Sequence, residues 1–129
     1  MKIEPCYFCF LPSERIVIET DLSTVIRDLF PVSEGHTLII PKRHIESIFD
    51  CTKEEQIDLL ANLEEAKKQL EKNLSPDGYN IGINEGEAAG QTVKHLHIHL
   101  IPRYSGDKEE AKGGVRWIFP DKANYWSKK

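Results

Sequence analysis

The chain has 129 residues, 40% hydrophobic and 29% charged, which places it among globular chains and outside the low-hydrophobicity, high-charge corner of disordered ones. That length fits one compact domain over 1–129, able to bury about two thirds of its surface without disulfide staples. Seventeen basic against 21 acidic side chains give a net charge of −4, which disfavours a nonspecific nucleic-acid binder, and the longest apolar run, 6–11, is far short of the roughly 20 residues that span a bilayer.

The N-terminus offers no secretory pattern, so the expected address is the cytoplasm, with neither membrane nor nucleic acid as partner. In a reducing compartment the C-x-x-C spacing of Cys6 and Cys9 leaves three readings: a metal site, a redox pair or two buried thiols. A redox pair ordinarily opens a helix, which Phe10-Leu11-Pro12 does not resemble. The third cysteine, Cys51, reads as structural. Short strands are expected over 15–19, 24–29 and 35–41, separated by turn-forming clusters at 20–23 and 31–34, and strands this close pair antiparallel. Thr52 and Glu55 form a capping-box pattern. Ile57, Leu60, Leu63, Ala66 or Lys67, Leu70 and Leu74 then recur at helical spacing until Pro76, which predicts one amphipathic helix covering the sheet. A strand over 79–84, a polar loop over 85–92 and an alternating strand over 95–101 follow. Beyond them, 106–114 reads as an exposed loop and 115–119 as a further strand.

The most informative segment is His95-Leu96-His97-Ile98-His99-Leu100, where a period of two puts three imidazoles on one face and three aliphatic side chains on the other. Three ligands to one ion are geometrically awkward, because the outer two Cα atoms lie about 13 Å apart on an extended strand. A division of labour is more natural, with the middle ring facing a reacting atom. A neutral imidazole is abundant at neutral pH and attacks phosphorus without a separate base. If its other nitrogen donates to a carbonyl, tautomer and aim are fixed, while a protonated neighbour stabilises the phosphoryl oxygens. Gly90-Gln91-Thr92 brings backbone N–H groups, an amide and a hydroxyl to the start of this strand, groups that contact anions.

The run Gln91-Thr92-Val93-Lys94-His95-Leu96-His97-Ile98-His99-Leu100, preceded by Asn84 and followed by Ile101-Pro102-Arg103, closely resembles the histidine-triad (HIT) family of nucleotide hydrolases and transferases. Gly35-His36-Thr37-Leu38-Ile39-Ile40-Pro41-Lys42-Arg43-His44 resembles the family's second landmark, so the likeness covers about 6–103, leaving 104–129 as a C-terminal extension. The resemblance implies an α+β fold, an antiparallel sheet of about five strands with one long helix, paired into a homodimer. It implies that His97 is the nucleophile of a nucleotidyl-histidine intermediate, that His99 contacts the α-phosphate and that His36 stands beside the site. Asp28 matches a ribose contact, and Asn84, Gly90, Gln91 and Thr92 match positions lining the phosphates and leaving group. Read singly, Asp28 is as well a solvated strand end, His36 a core histidine and Asn84 a turn residue; their joint spacing from His97 favours the site. Ile26 packs either on the base or simply in the core.

Some HIT branches, and the related galactose-1-phosphate uridylyltransferases, carry a zinc ion whose ligand positions correspond to Cys6, Cys9, His44 and His95 here. Two thiolates and two imidazoles form a closed tetrahedral set, a structural rather than catalytic zinc site. Lys42, Arg43 and Arg103 read as solvated cations, and the aromatic-rich tail around Trp117, Tyr125 and Trp126 as packing. The expected function is hydrolysis at the α-phosphate of a purine nucleotide: a diadenosine polyphosphate first, because the 87–92 loop resembles the fragile-histidine-triad branch, or a nucleoside phosphoramidate. A noncatalytic nucleotide-binding or scaffold dimer, and a hydrolase with a metal on His97 or His99, are the competing readings.

Overall fold

The computed structural model describes residues 2 and 4–127. Five strands, β1 (Ile16–Glu19), β2 (Ser23–Arg27), β3 (Thr37–Pro41), β4 (Gly78–Gly82) and β5 (Ile98–Arg103), form one sheet in the order β1-β2-β3-β5-β4, and every neighbouring pair is antiparallel. The register assigns the two faces. Val25 opposes Ile39, and Ile39 opposes Ile98; with Leu100 they form the core beneath the long helix α1 (Lys53–Glu71). Ile26 opposes Leu38 on the other face, where both join Ile40 and are covered by Phe8, Leu11 and Ile16 of the N-terminal segment. The second landmark is thus a central strand buried on both sides, which explains its unbroken apolar run.

Helix α1 starts at the predicted capping box, with the Thr52 hydroxyl accepting from the Glu55 backbone N–H at 3.0 Å and the Glu55 carboxylate accepting from Thr52 N–H at 2.8 Å. Its buried stripe is Glu55, Leu59, Asn62, Ala66 and Leu70, whereas the expected Ile57 and Leu60 are 69% and 60% exposed. Polar pairing rotates the stripe. Glu55 takes a bidentate bond from Arg43, and Asn62 donates to the Ser23 hydroxyl at 2.6 Å, so two polar residues hold core positions that an apolar count passes over. Arg43 is therefore an anchor between the second landmark and the helix rather than a solvated cation, and Arg103 is likewise paired with Asp107.

Gly35, at φ +91°, leads into β3. Its left-handed backbone favours glycine, and an added Cβ would meet the terminal methyls of Leu74 at 2.9 Å and Leu70 at 3.0 Å, which would have to shift. The expected strand at 115–119 is instead a 3₁₀ turn, Gly114–Ile118, followed by the short helix α2 (Pro120–Ala123). Gly113 and Gly114 both take positive φ, which bends the chain away from an extended path, and Pro120 opens the helix.

Candidate active site

Strand β5 begins only at Ile98, so His95, Leu96 and His97 approach it in irregular backbone. Leu96 N–H donates to the Ile45 carbonyl at 2.6 Å, pinning this approach against the segment that carries His44. Leu96, Ile98 and Leu100 are buried as the alternation predicts. The three imidazoles do not share one environment, however. His97 and His99 stand with ring centroids 5.1 Å apart, while His95 is fully buried and its ring lies 5.0 Å from that of His44.

The hydrogen bonds assign the tautomers. Nδ1 of His97 lies 2.9 Å from the carbonyl oxygen of His95. A carbonyl only accepts, so Nδ1 carries the proton and Nε2 is left with its lone pair. A second chain runs through the neighbouring rings. Val32 N–H donates to His36 Nδ1 at 3.1 Å, so His36 holds its proton on Nε2, which lies 3.0 Å from His99 Nδ1 and 3.5 Å from the Asp28 carboxylate. His99 accepts on Nδ1 and therefore bears its own proton on Nε2. Asp28 is itself fixed by accepting from Phe30 N–H at 2.8 Å.

Burial keeps these rings neutral. His99 is pushed down to about 4, first by desolvation and then by His97 and His36, with Asp28 opposing. His36 is lowered by burial against the same Asp28. The neighbour of His97 is thus a neutral N–H donor, not the protonated ring expected from the sequence. Asp28, His36 and His99 also offer ligand atoms within 4.8 Å of one another. The hydrogen-bond chain accounts for that closeness.

His97 and His99 line a cavity of about 470 Å³, together with Asp28, His36, Asn84, Gly90 and Thr92 from the expected set and Ile26 on its floor. Gln91 is not among its lining residues; its amide closes the preceding loop, accepting from Gly86 N–H at 2.9 Å and donating to the Glu46 carbonyl at 3.0 Å. Gly90, at φ +92°, gives that loop its left-handed corner. Sequence reasoning missed the aromatic wall. Phe8 meets the His97 ring edge-on at 5.1 Å, and Tyr7 and Phe30 also line the cavity. Arg15 reaches Tyr7 and the Arg27 carbonyl, both at 2.5 Å. The only signal for Phe8 was its place between the two cysteines.

Behind His97, Cys6, Cys9, His44 and His95 bring four ligand atoms within 4.8 Å of one another. Cys6 Sγ lies 3.3 Å from His95 Nδ1 and Cys9 Sγ lies 3.2 Å from His44 Nδ1. His95 donates from Nε2 to the Pro41 carbonyl at 2.7 Å, which leaves Nδ1 bare toward the thiols, the orientation a metal-ligating histidine takes from its outer partner. The Cys6 thiol is raised by burial first and by the Cys9 side chain, with backbone N–H groups of Cys9 and Phe8 opposing. These four residues could hold a metal ion.

Residues 12–106 match the HIT domain family. The chain belongs to the HIT family. It is 37% identical over 113 residues to an uncharacterised HIT-like protein of Methanocaldococcus jannaschii, covering 84% of this chain and 87% of that one. It is 38% identical to the asymmetrical bis(5′-nucleosyl)-tetraphosphatase of Schizosaccharomyces pombe, over 81% of this chain and 58% of that protein. With the bis(5′-adenosyl)-triphosphatase of Dictyostelium discoideum the identity is 42%, over 74% and 64%. The chain therefore spans about three fifths of the length of these two hydrolases. Among solved structures, a zinc-bound histidine triad protein from Mycobacterium smegmatis superposes with a TM-score of 0.72 at 38% identity, covering 82% of this chain and 80% of that one.

Proposed function

We propose that this HIT protein hydrolyses a purine nucleotide at its α-phosphate, either a dinucleoside polyphosphate or a nucleoside phosphoramidate, with His97 as nucleophile. The observation that carries this reading is the hydrogen bond from His97 Nδ1 to the His95 carbonyl, which fixes a bare Nε2 on a ring that lines the cavity. Nε2 attacks the α-phosphorus, an N–P bond forms, and the bond to the bridging atom of the leaving group breaks, the leaving group taking the electron pair and, where it is an amine, a proton from solvent. The Nε2–H of His99 hydrogen-bonds a non-bridging oxygen as charge builds there, keeping its proton, and loop N–H groups near Gly90 and Thr92 add to that field. Water then attacks phosphorus and gives up a proton to solvent, the N–P bond breaks, a nucleoside monophosphate departs and the lone pair returns to Nε2. Catalysis of this kind is mainly positioning and electrostatics. Asp28 holds the ribose, and the apolar side with Ile26, Leu38 and Phe8 takes the base.

Cys6, Cys9, His44 and His95 would hold a structural zinc, a set of two thiolates and two imidazoles that would supply stability rather than catalysis. Such an ion would tie the N-terminal segment, and with it Phe8, to the approach of β5. The chain pairs as a homodimer by extending its sheet at an edge strand, β1 or β4. Both the mononucleotide-recognising scaffold and the hydrolase are tested by incubating the protein with diadenosine polyphosphates and adenosine 5′-phosphoramidate and identifying the products. Release of AMP from either, lost in His97→Asn, is the expected result; binding without turnover by the unmodified protein would overturn the enzymatic reading.

A further inference from the structure

The nucleotide cavity carries one arginine that the proposed reaction does not use. Arg15 lines it together with Tyr7, Phe8, Ile26 and Phe30. Arg43 and Arg103 are gripped by Glu55 and Asp107. Arg15 has no acidic partner among the described residues: Nη1 donates to the Tyr7 hydroxyl oxygen and Nη2 to the Arg27 carbonyl. Both partners are neutral, so they aim the guanidinium without cancelling its charge, and a guanidinium has N–H donors beyond the two used here.

The place of Arg15 in the sheet decides which part of a nucleotide it meets. It immediately precedes β1, whose Ile16 opposes Ile26. Strand β1 stands three strand intervals, about 14 Å, from β5 and the approach that carries His97. That is the reach of a nucleoside rather than of a phosphate. Between the two, Ile26 lies on the cavity floor, and Asp28 turns its carboxylate toward His36, on the side of β2 remote from β1. With the ribose at Asp28 and the base over Ile26, the far edge of the base meets Arg15.

Purines differ at that edge. Guanine and hypoxanthine present two acceptors, O6 and N7, which match a guanidinium fork, whereas adenine presents N7 beside an N6 amino donor that opposes it. A further phosphate on the ribose is the other group an arginine would attract, but the ribose side holds the Asp28 carboxylate, which repels it.

From this placement, and resting on the reading that seats the α-phosphate at His97, we infer that Arg15 is a specificity-determining residue that selects 6-oxopurine nucleotides over adenine nucleotides. The preferred substrate of the same site is then a guanine-bearing dinucleoside polyphosphate or phosphoramidate. Tyr7 is a positioning residue, holding the guanidinium through its hydroxyl.

Calorimetric titration of the unmodified protein with GMP, IMP and AMP tests this. GMP and IMP should bind about tenfold or more tighter than AMP, and kcat/KM for diguanosine triphosphate should exceed that for diadenosine triphosphate by a similar factor. Arg15→Met keeps an unbranched stem, removes the fork and should bring the GMP-to-AMP ratio near one. Arg15→Lys keeps the charge without the fork and should lose most of the preference. A merely structural Arg15 would weaken GMP and AMP alike and leave their ratio unchanged. That result would overturn the inference, as would equal binding of GMP and AMP by the parent, or an Arg15-dependent gain for adenosine 3′,5′-bisphosphate over AMP. Failure of the underlying reading looks different. If no mononucleotide binds, the inference falls with it; if GMP binds through Arg15 and neither dinucleotide is cleaved, base selection stands and hydrolysis does not.

Discussion

His95 meets His97 through its backbone and the cysteine–histidine cluster through its side chain: its carbonyl oxygen lies 2.9 Å from His97 Nδ1, while its ring Nδ1 lies 3.3 Å from Cys6 Sγ. The tautomer of His97 is thus set by a residue whose ring lies against the cysteine pair. Phe8, carried between the two cysteines, touches both rings, at 6.0 Å to His95 and 5.1 Å to His97. Stability and aim are coupled at this point.

Loss of metal should therefore show first as loss of stability. Purified protein is expected to hold one zinc per chain by elemental analysis, and Cys9→Ser to hold far less. Chelation should lower the melting temperature by about 10 °C or more, since ligand that binds only the folded state stabilises it by mass action. Equal melting with and without chelator would contradict a structural zinc.

The His36–His99 bond of 3.0 Å fixes which nitrogen of His99 donates. His36→Ala frees His99 to take either tautomer, and kcat should fall roughly 10- to 100-fold, the usual cost of losing an orienting partner. Nitrogen NMR of the His99 ring separates this from a merely structural effect: the variant should show mixed tautomers where the parent shows Nε2–H alone.

Acid should weaken the fold through His99, faced by His97, His36 and Asp28. A free imidazole titrates near 6.5, whereas His99 is held down to about 4 in the folded chain. Between those values the unfolded chain binds a proton that the folded chain refuses, so stability is complete above about pH 6.5, falls as pH drops, and has lost its full increment below about pH 4. Urea midpoints at pH 7 and pH 4.5 should differ more for the parent than for His99→Asn; equal differences would assign the acid sensitivity elsewhere.

Gly35→Ala meets two costs at once, a positive φ and a Cβ within 2.9 Å of Leu74. Destabilisation of about 1–3 kcal/mol is expected from chemical denaturation. Because Gly35 precedes His36, the variant should also raise KM for nucleotide, and unchanged stability would show that the helix end yields easily.

Much of this site was legible before the structure. The alternation from Leu96 to Leu100 identified the buried side of β5, and the resemblance to the HIT family pointed to Asp28, His36, Asn84 and His97, which line one cavity. Cys6, Cys9, His44 and His95 do converge. What the pattern hid was backbone direction: His95 precedes the regular strand, so its ring turns inward although its index matches the other two. Of the expected helix stripe, Leu63, Ala66, Leu70 and Leu74 do pack on the core, whereas Ile57 and Leu60 are exposed and Glu55 and Asn62 are buried through hydrogen bonds, which hydrophobic periodicity does not register. Gln91 was read by its chemistry as an anion contact, yet a side-chain amide two bonds from a tight turn is equally able to close the turn itself. Phe8 and the Asn80–Arg103–Asp107 set join distant parts of the chain, and no local spacing announces them.

The most direct measurement is mass spectrometry of the protein quenched in alkali within milliseconds of mixing with diadenosine triphosphate. An adenylyl group on the peptide bearing His97, appearing before steady state and absent from His97→Asn, is the predicted result. Steady turnover with no adduct on that peptide, or full turnover by His97→Asn, would contradict it.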